Sequence, residues 1–86
     1  MRVDLALKRL LLVKSRTEGK EACDVGAVAV NGKRVKASAE VAVGDRIRID
    51  YARRALEIEL LSDIGRNVSR AAAKTLYRVL SDEASP

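Results

Sequence analysis

The sequence predicts an α+β domain: two N-terminal helices packed on a small, mostly antiparallel sheet, followed by a short C-terminal helix. Three observations carry this. The apolar residues recur at helical spacing up to about Val25 and alternate after Gly26. Asn31-Gly32, set between apolar stretches, is a strong short-range hairpin signal. The chain has 86 residues and its single proline is Pro86, so nothing in the interior marks a domain boundary.

Val3, Ala6, Leu7, Leu10 and Val13 form one stripe of a helix running from Val3 to about Val13. Leu5 and Leu12 lie off that stripe, near Lys8 and Arg9; they serve either a second packing contact or a partner-facing patch. Ser15-Arg16-Thr17-Glu18 fits a capping box, Ser15 being the N-cap. The second helix it opens runs to about Val25, where Gly26 supplies the stop. Gly19, Ala22, Cys23 and Gly26 line one side of it with small groups, which lets another helix approach closely and makes Cys23 a small buried hydrophobe.

Ala27 to Val30 reads as a strand, and Lys33 to Lys36 returns beside it. Gly44-Asp45 makes a further turn. In the next strand Ile47, Ile49 and Tyr51 point inward, with Arg46, Arg48 and Asp50 outward. Ala55 to Leu61 repeats the alternation with Leu56, Ile58 and Leu60 inward, and Arg48 is expected to pair with Glu57 or Glu59 across the strands. A third helix is expected from Ser69 to about Ser81, its apolar side made by Ala72, Ala73, Leu76, Val79 and Leu80.

Composition limits the chemistry. There is no His, and Cys23 is the one cysteine, so a Ser–His–Asp triad, a His- or paired-Cys zinc site and a disulfide framework are excluded. No Gly-rich phosphate loop is present and the carboxylates are scattered, so no catalytic residue, metal site or cofactor is assigned. A lone cysteine suits a reducing cytosol, no apolar run reaches membrane-span length, and Asp4 and Lys8 interrupt the leading leucines, unlike a signal peptide.

The net charge is +5, and it is uneven: residues 1–54 hold 13 basic and 7 acidic side chains, residues 55–86 hold 4 and 5. Basic small domains most often bind nucleic acid. Lys8, Arg9, Lys14, Arg16 and Lys20 surround the first two helices and their turn, and Arg2 precedes them. Arg16 and Lys20 share a helix face. Arg16 also stands in a first helical turn, where the macrodipole disfavours a cation by about 0.3–1 kcal/mol. A phosphate gripped by Arg16, Arg2 and the free N–H groups there would reverse that cost. Asn31, Lys33, Arg34 and Lys36 place a second basic group at the hairpin. The only aromatic residues are Tyr51 and Tyr77, which argues against RRM- or OB-type base stacking and for recognition of phosphates and helical shape.

Arg2-Val3-Asp4, Ser15-Arg16-Thr17-Glu18-Gly19-Lys20, Gly26-Ala27-Val28-Ala29-Val30-Asn31-Gly32 and Val43-Gly44-Asp45-Arg46-Ile47 together resemble the S4 domain (αL motif), an RNA-binding module, over about residues 2–50. Two positions depart from its pattern. Ala27 stands where Lys or Arg is common, and Gly19 where Ala is usual, which should loosen the second helix slightly. The resemblance implies an S4 RNA-binding domain at 1–61, including its closing strand, and a C-terminal extension with a short helix at 62–86.

Because the module is nearly the whole chain, it resembles the stand-alone S4 proteins of bacterial ribosome quality control, and more distantly the fifteen-kilodalton heat-shock S4 protein. That resemblance implies a cytoplasmic, non-enzymatic monomer bound to large-subunit rRNA and P-site peptidyl-tRNA, supporting alanine tailing by an RqcH-type partner. Arg2 and Arg16 are then the principal RNA contacts, with Lys20 beside them. Recycling of nascent-chain-bearing large subunits, an accessory subunit of an rRNA- or tRNA-modifying enzyme, and DNA binding are the alternatives.

Overall fold

The structure, a computed structural model, describes residues 1–84; Ser85 and Pro86, the end of the expected 62–86 extension, lie outside the described residues. Eight elements follow in order: α1 (Val3–Arg9), α2 (Arg16–Asp24), β1 (Val28–Val30), β2 (Lys33–Arg34), β3 (Arg46–Tyr51), β4 (Arg54–Leu60), α3 (Arg70–Ala73) and β5 (Tyr77–Ala84). The strands form one sheet in the order β2-β1-β3-β4-β5, and every neighbouring pair is antiparallel.

α1 and α2 cover one face of this sheet. Val3, Ala6, Leu7, Leu10, Val13 and Cys23 from the helical layer meet Val28, Val30, Ile47, Ile49, Leu56, Ile58 and Leu60 from the strands in one aliphatic core. β3 and β4 show why: each alternates buried and more exposed residues, so one face is apolar. Gly19 is buried where the helices cross, and a Cβ there would stand 3.0 Å from the Asp4 carbonyl oxygen. The glycine therefore accompanies a close approach of α1 to α2.

α1 is shorter than its apolar stripe suggests, ending at Arg9 rather than near Val13. The stop is a Schellman motif. Leu11 takes φ of 60°, its N–H donates to Lys8 O at 3.0 Å, and the Leu12 N–H donates to Leu7 O at 2.9 Å. A leucine in the left-handed region costs roughly 1–2 kcal/mol, and nothing about leucine marks such a stop. α2 ends by the same motif with the expected residue: Gly26 has φ of 76°, and the Ala27 N–H donates to Ala22 O at 2.8 Å. Its start is also as expected, since the Ser15 hydroxyl accepts from the Glu18 N–H at 3.1 Å.

In the β1–β2 hairpin Asn31 and Gly32 both have positive φ, 51° and 84°, the conformation of a type I′ turn. Arg48 lies opposite Glu57 in the β3–β4 ladder, but its ion pair is with Asp50 at 3.1 Å rather than across the strands.

The largest departure is at the C-terminal end. The helix expected from Ser69 to Ser81 lasts one turn, Arg70–Ala73, capped by Ser69 Oγ accepting from the Ala72 N–H at 3.1 Å. The chain then extends as β5 along the free edge of β4. The apolar spacing that reads as helical is overridden by an open ladder and by cross-strand charge matching, Arg54 with Asp82 and Arg78 with Glu59. Of the expected apolar side, Ala73 is buried, whereas Val79 and Leu80 are exposed.

Candidate nucleic-acid interface

The site begins with a buried carboxylate. Asp4, in the first turn of α1, is the one buried charged residue among the described residues. Its Oδ1 accepts from the Leu5 N–H at 2.8 Å, which caps an otherwise free helical donor. The Arg2 guanidinium forks onto both oxygens, Nε to Oδ1 at 3.3 Å and Nη2 to Oδ2 at 3.2 Å. Arg16 Nε reaches Oδ2 from the first turn of α2 at 3.5 Å. One carboxylate thus holds two arginines that are fourteen residues apart in sequence.

About half of each guanidinium side chain remains exposed while the Asp4 side chain is 3% exposed. The acid is spent inward, and the donors it does not use face solvent. Arg2, Arg16 and Lys20 line a shallow groove of about 300 Å³ with Asp4 and Thr17. A second groove of about 430 Å³ adjoins it, sharing Arg2 and Lys20 and adding Lys36. Backbone bonds fix the start of α1 against the loop before β3: the Val3 N–H donates to Ala39 O at 2.7 Å, and Arg2 bridges to Glu40. The arrangement offers planar, preorganised donors to an anion.

The remaining sequence-predicted residues are distributed. Lys8 and Arg9 lie in the last turn of α1, Lys8 exposed and Arg9 half-buried, outside both grooves. Lys14 lines a separate groove with Tyr51 and Tyr77. Lys33 and Arg34 are exposed on β2, and Arg34 shares a groove of about 260 Å³ with Arg48, Asp50 and Glu57. Asn31 has both ends of its side chain engaged: its Oδ1 accepts from the Arg46 N–H at 3.0 Å and its Nδ2 donates to Asp45 Oδ1 at 3.1 Å. It ties two turns together. Asp4 is the residue that sequence reasoning left out of the site, and Lys36, expected with the hairpin group, lies instead beside Arg2 and Lys20. An acid two residues after an arginine, on an otherwise apolar stripe, was the available signal for Asp4.

Burial pushes the Cys23 thiol above its ordinary range, and the carboxylates of Asp4 and Asp24 add to this. Cys23 is a free, buried thiol that lines the second groove.

Comparison with known proteins identifies the family and the fold. A family model described as S4 domain matches residues 1–47. The RQC P-site tRNA stabilizing factor of Halalkalibacterium halodurans is 36% identical over 83 residues, spanning 96% of this chain and 93% of that protein. Its counterpart in Bacillus subtilis is 30% identical over 83 residues, spanning 96% and 95%. Among solved structures, the trimeric heat shock protein 15 of Vibrio cholerae superposes with a TM-score of 0.87 at 25% identity, covering 94% of this chain and 82% of that one. The chain belongs to the S4 domain family, and within it to the family of the RQC P-site tRNA stabilizing factors.

Proposed function

We propose that this chain is a non-enzymatic, cytoplasmic RNA-binding factor of ribosome quality control, of the RqcP type. It binds obstructed large ribosomal subunits that carry peptidyl-tRNA, contacts rRNA and the P-site tRNA, and supports C-terminal alanine tailing by an RqcH-type partner. It acts as a monomer. The observation that carries this reading is the pair of half-exposed guanidinium groups, Arg2 and Arg16, fixed on one buried carboxylate beside Lys20. That arrangement suits two phosphates, or two strands, brought close together. Residues 1–61 form the RNA-binding unit, and 62–86 an extension from it.

Lys8, Arg9, Lys14, Lys33 and Arg34 serve as peripheral phosphate contacts, and Asn31 holds the hairpin that presents Lys33 and Arg34. The test is sedimentation of tagged protein from lysate on a sucrose gradient. Co-migration with tRNA-bearing large subunits, lost in Arg2→Ala/Arg16→Ala, is the expected result. A folded double variant that still binds undiminished overturns the assigned site.

A second reading is favoured by the likeness to heat shock protein 15: recycling of nascent-chain-bearing subunits without tailing. Co-purification of an RqcH-type partner, and alanine tails that disappear when this chain is deleted, separate the two.

A further inference from the structure

A groove of about 690 Å³ lies apart from the one built around Asp4, and is larger than it. It lies between the α1–α2 turn, the end of β3, and α3 with the start of β5. Leu10 to Val13 line it together with Tyr51, Ala73 and Tyr77. Lys14, Arg70 and Lys74 stand on it with a single acid, Glu18.

Four features distinguish this groove from the rest of the surface. The chain has two aromatic residues, 26 positions apart, and the fold brings both into this one place. Tyr51 is held there, its hydroxyl donating to the Leu12 carbonyl at 2.5 Å and the Arg54 guanidinium lying 5.7 Å from its ring centre. Lys14, Arg70 and Lys74 make no ion pair among the described residues, although Arg70 and Lys74 are like charges four apart. Leu11, in the groove lining, is half-exposed in the left-handed region, where a leucine is strained.

We infer that this groove is a second RNA subsite, which takes one unpaired nucleotide: the base against the tyrosine-lined apolar wall, the phosphate on Lys14, Arg70 and Lys74. Aromatic side chains beside cations are the usual means of holding an unstacked base and its backbone. An acidic peptide would satisfy the cations, but it has no need of the chain's two rings in one pocket. The inference rests on the RNA-binding reading and deepens it. The two sites meet at the first turn of α2, where Arg16 and Thr17 line the first groove and Glu18 the second. An RNA segment held by the arginines therefore has a neighbouring pocket for a base that leaves its helix.

The test is a titration of the isotope-labelled full chain with adenosine 5′-monophosphate, followed by NMR, with ribose 5-phosphate and an acidic, leucine-containing peptide as separate arms. The expected result is shifts at Leu11, Leu12, Tyr51 and Tyr77 with the nucleotide, retained in Arg2→Ala/Arg16→Ala. They weaken about tenfold in Tyr77→Leu but not in Tyr77→Phe. Lys14→Ala/Lys74→Ala alters only exposed side chains and should weaken them similarly. Absence of shifts in the groove overturns the inference. So do equal shifts with ribose 5-phosphate, shifts confined to the Arg2–Arg16–Lys20 groove, or a response to the peptide alone. Large-subunit sedimentation reads the parent proposal separately: its failure with the groove shifts intact tells against that proposal, not against the pocket.

Discussion

Arg16 and Asp4 face each other across the α1–α2 pair, Nε 3.5 Å from Oδ2, and the same oxygen also receives Arg2 Nη2 at 3.2 Å. This places the candidate RNA contacts and the packing of the helical layer on one carboxylate. Asp4→Asn keeps an acceptor for the Leu5 N–H but loses the charge that orients both guanidinium groups. The expected destabilisation is about 1–3 kcal/mol. For a chain of this size each kcal/mol lowers Tm by roughly 4–8 °C, which calorimetry measures. RNA affinity should fall several-fold even though the net charge rises, because position rather than charge alone is lost. An affinity that rises instead would show that charge dominates.

Salt dependence separates the arginines from the general basic surface. If Arg2 and Arg16 each neutralise a phosphate, Arg2→Ala/Arg16→Ala should flatten the plot of log affinity against log salt by about 2 units. Replacing Lys8, outside the grooves, should change the slope by about 1 at most. Fluorescence anisotropy with a structured RNA across a salt series measures both.

Tyr51 links the sheet to the turn between the helices, and it carries a pH signature. Burial is the main cause that raises its hydroxyl above the ordinary value of 10.0; Arg54 opposes this. The folded state therefore holds this proton more tightly than the unfolded state. Its contribution is complete below about pH 10 and is lost as pH rises through the raised value. Tyr51→Phe removes the bond to Leu12 and should cost about 0.5–1.5 kcal/mol at pH 8. The gap between the two proteins should narrow above pH 10, as followed by urea denaturation at a series of pH values. A constant gap would mean that the hydroxyl binds its proton equally tightly in the folded and unfolded states.

The C-terminal ion pairs are exposed, so their loss should cost little. Asp82→Ala removes a fork onto Arg54, Nε at 2.7 Å and Nη2 at 2.9 Å, between two half-exposed partners. The expected change in stability is below about 1 kcal/mol. By contrast, Ile58→Ala, at a position 1% exposed, should cost about 2–5 kcal/mol. Chemical denaturation of both variants gives the comparison.

β5 is an edge strand, so its amides should not be equally protected. Those directed at β4 should exchange slowly and the alternate ones quickly over Tyr77–Ala84. Uniform protection from Ser69 to Ser81 would instead indicate the helix that the apolar spacing suggests.

Much of this molecule was legible because its signals are local. Ser15 and Glu18 cap α2, Gly26 ends it, Asn31-Gly32 turns the first hairpin, and the alternation of Ile47, Ile49, Leu56, Ile58 and Leu60 assigns the faces of β3 and β4. Each depends on backbone preferences or periodicity within a few residues, and those survive in any context that buries the apolar side. The clustering of Arg2, Arg16 and Lys20 was likewise visible, from a shared helix face and a short connection.

What the tertiary structure decided involves partners distant in sequence. α1 stops at Arg9 because Leu12 and Val13 turn back toward Leu7 and Tyr51, outweighing the strain at Leu11. Tyr77 to Ala84 become a strand because β4 leaves an edge free with glutamate, arginine and isoleucine in register to meet them. Asp4 joins two arginines only once α1 and α2 pack, and Tyr51 meets Tyr77 in one groove only once the sheet is complete. Sequence alone set the elements with strong local preference and the sign of the surface. Where helix and strand were nearly balanced, or a site needed two chain segments, the free energy of packing chose.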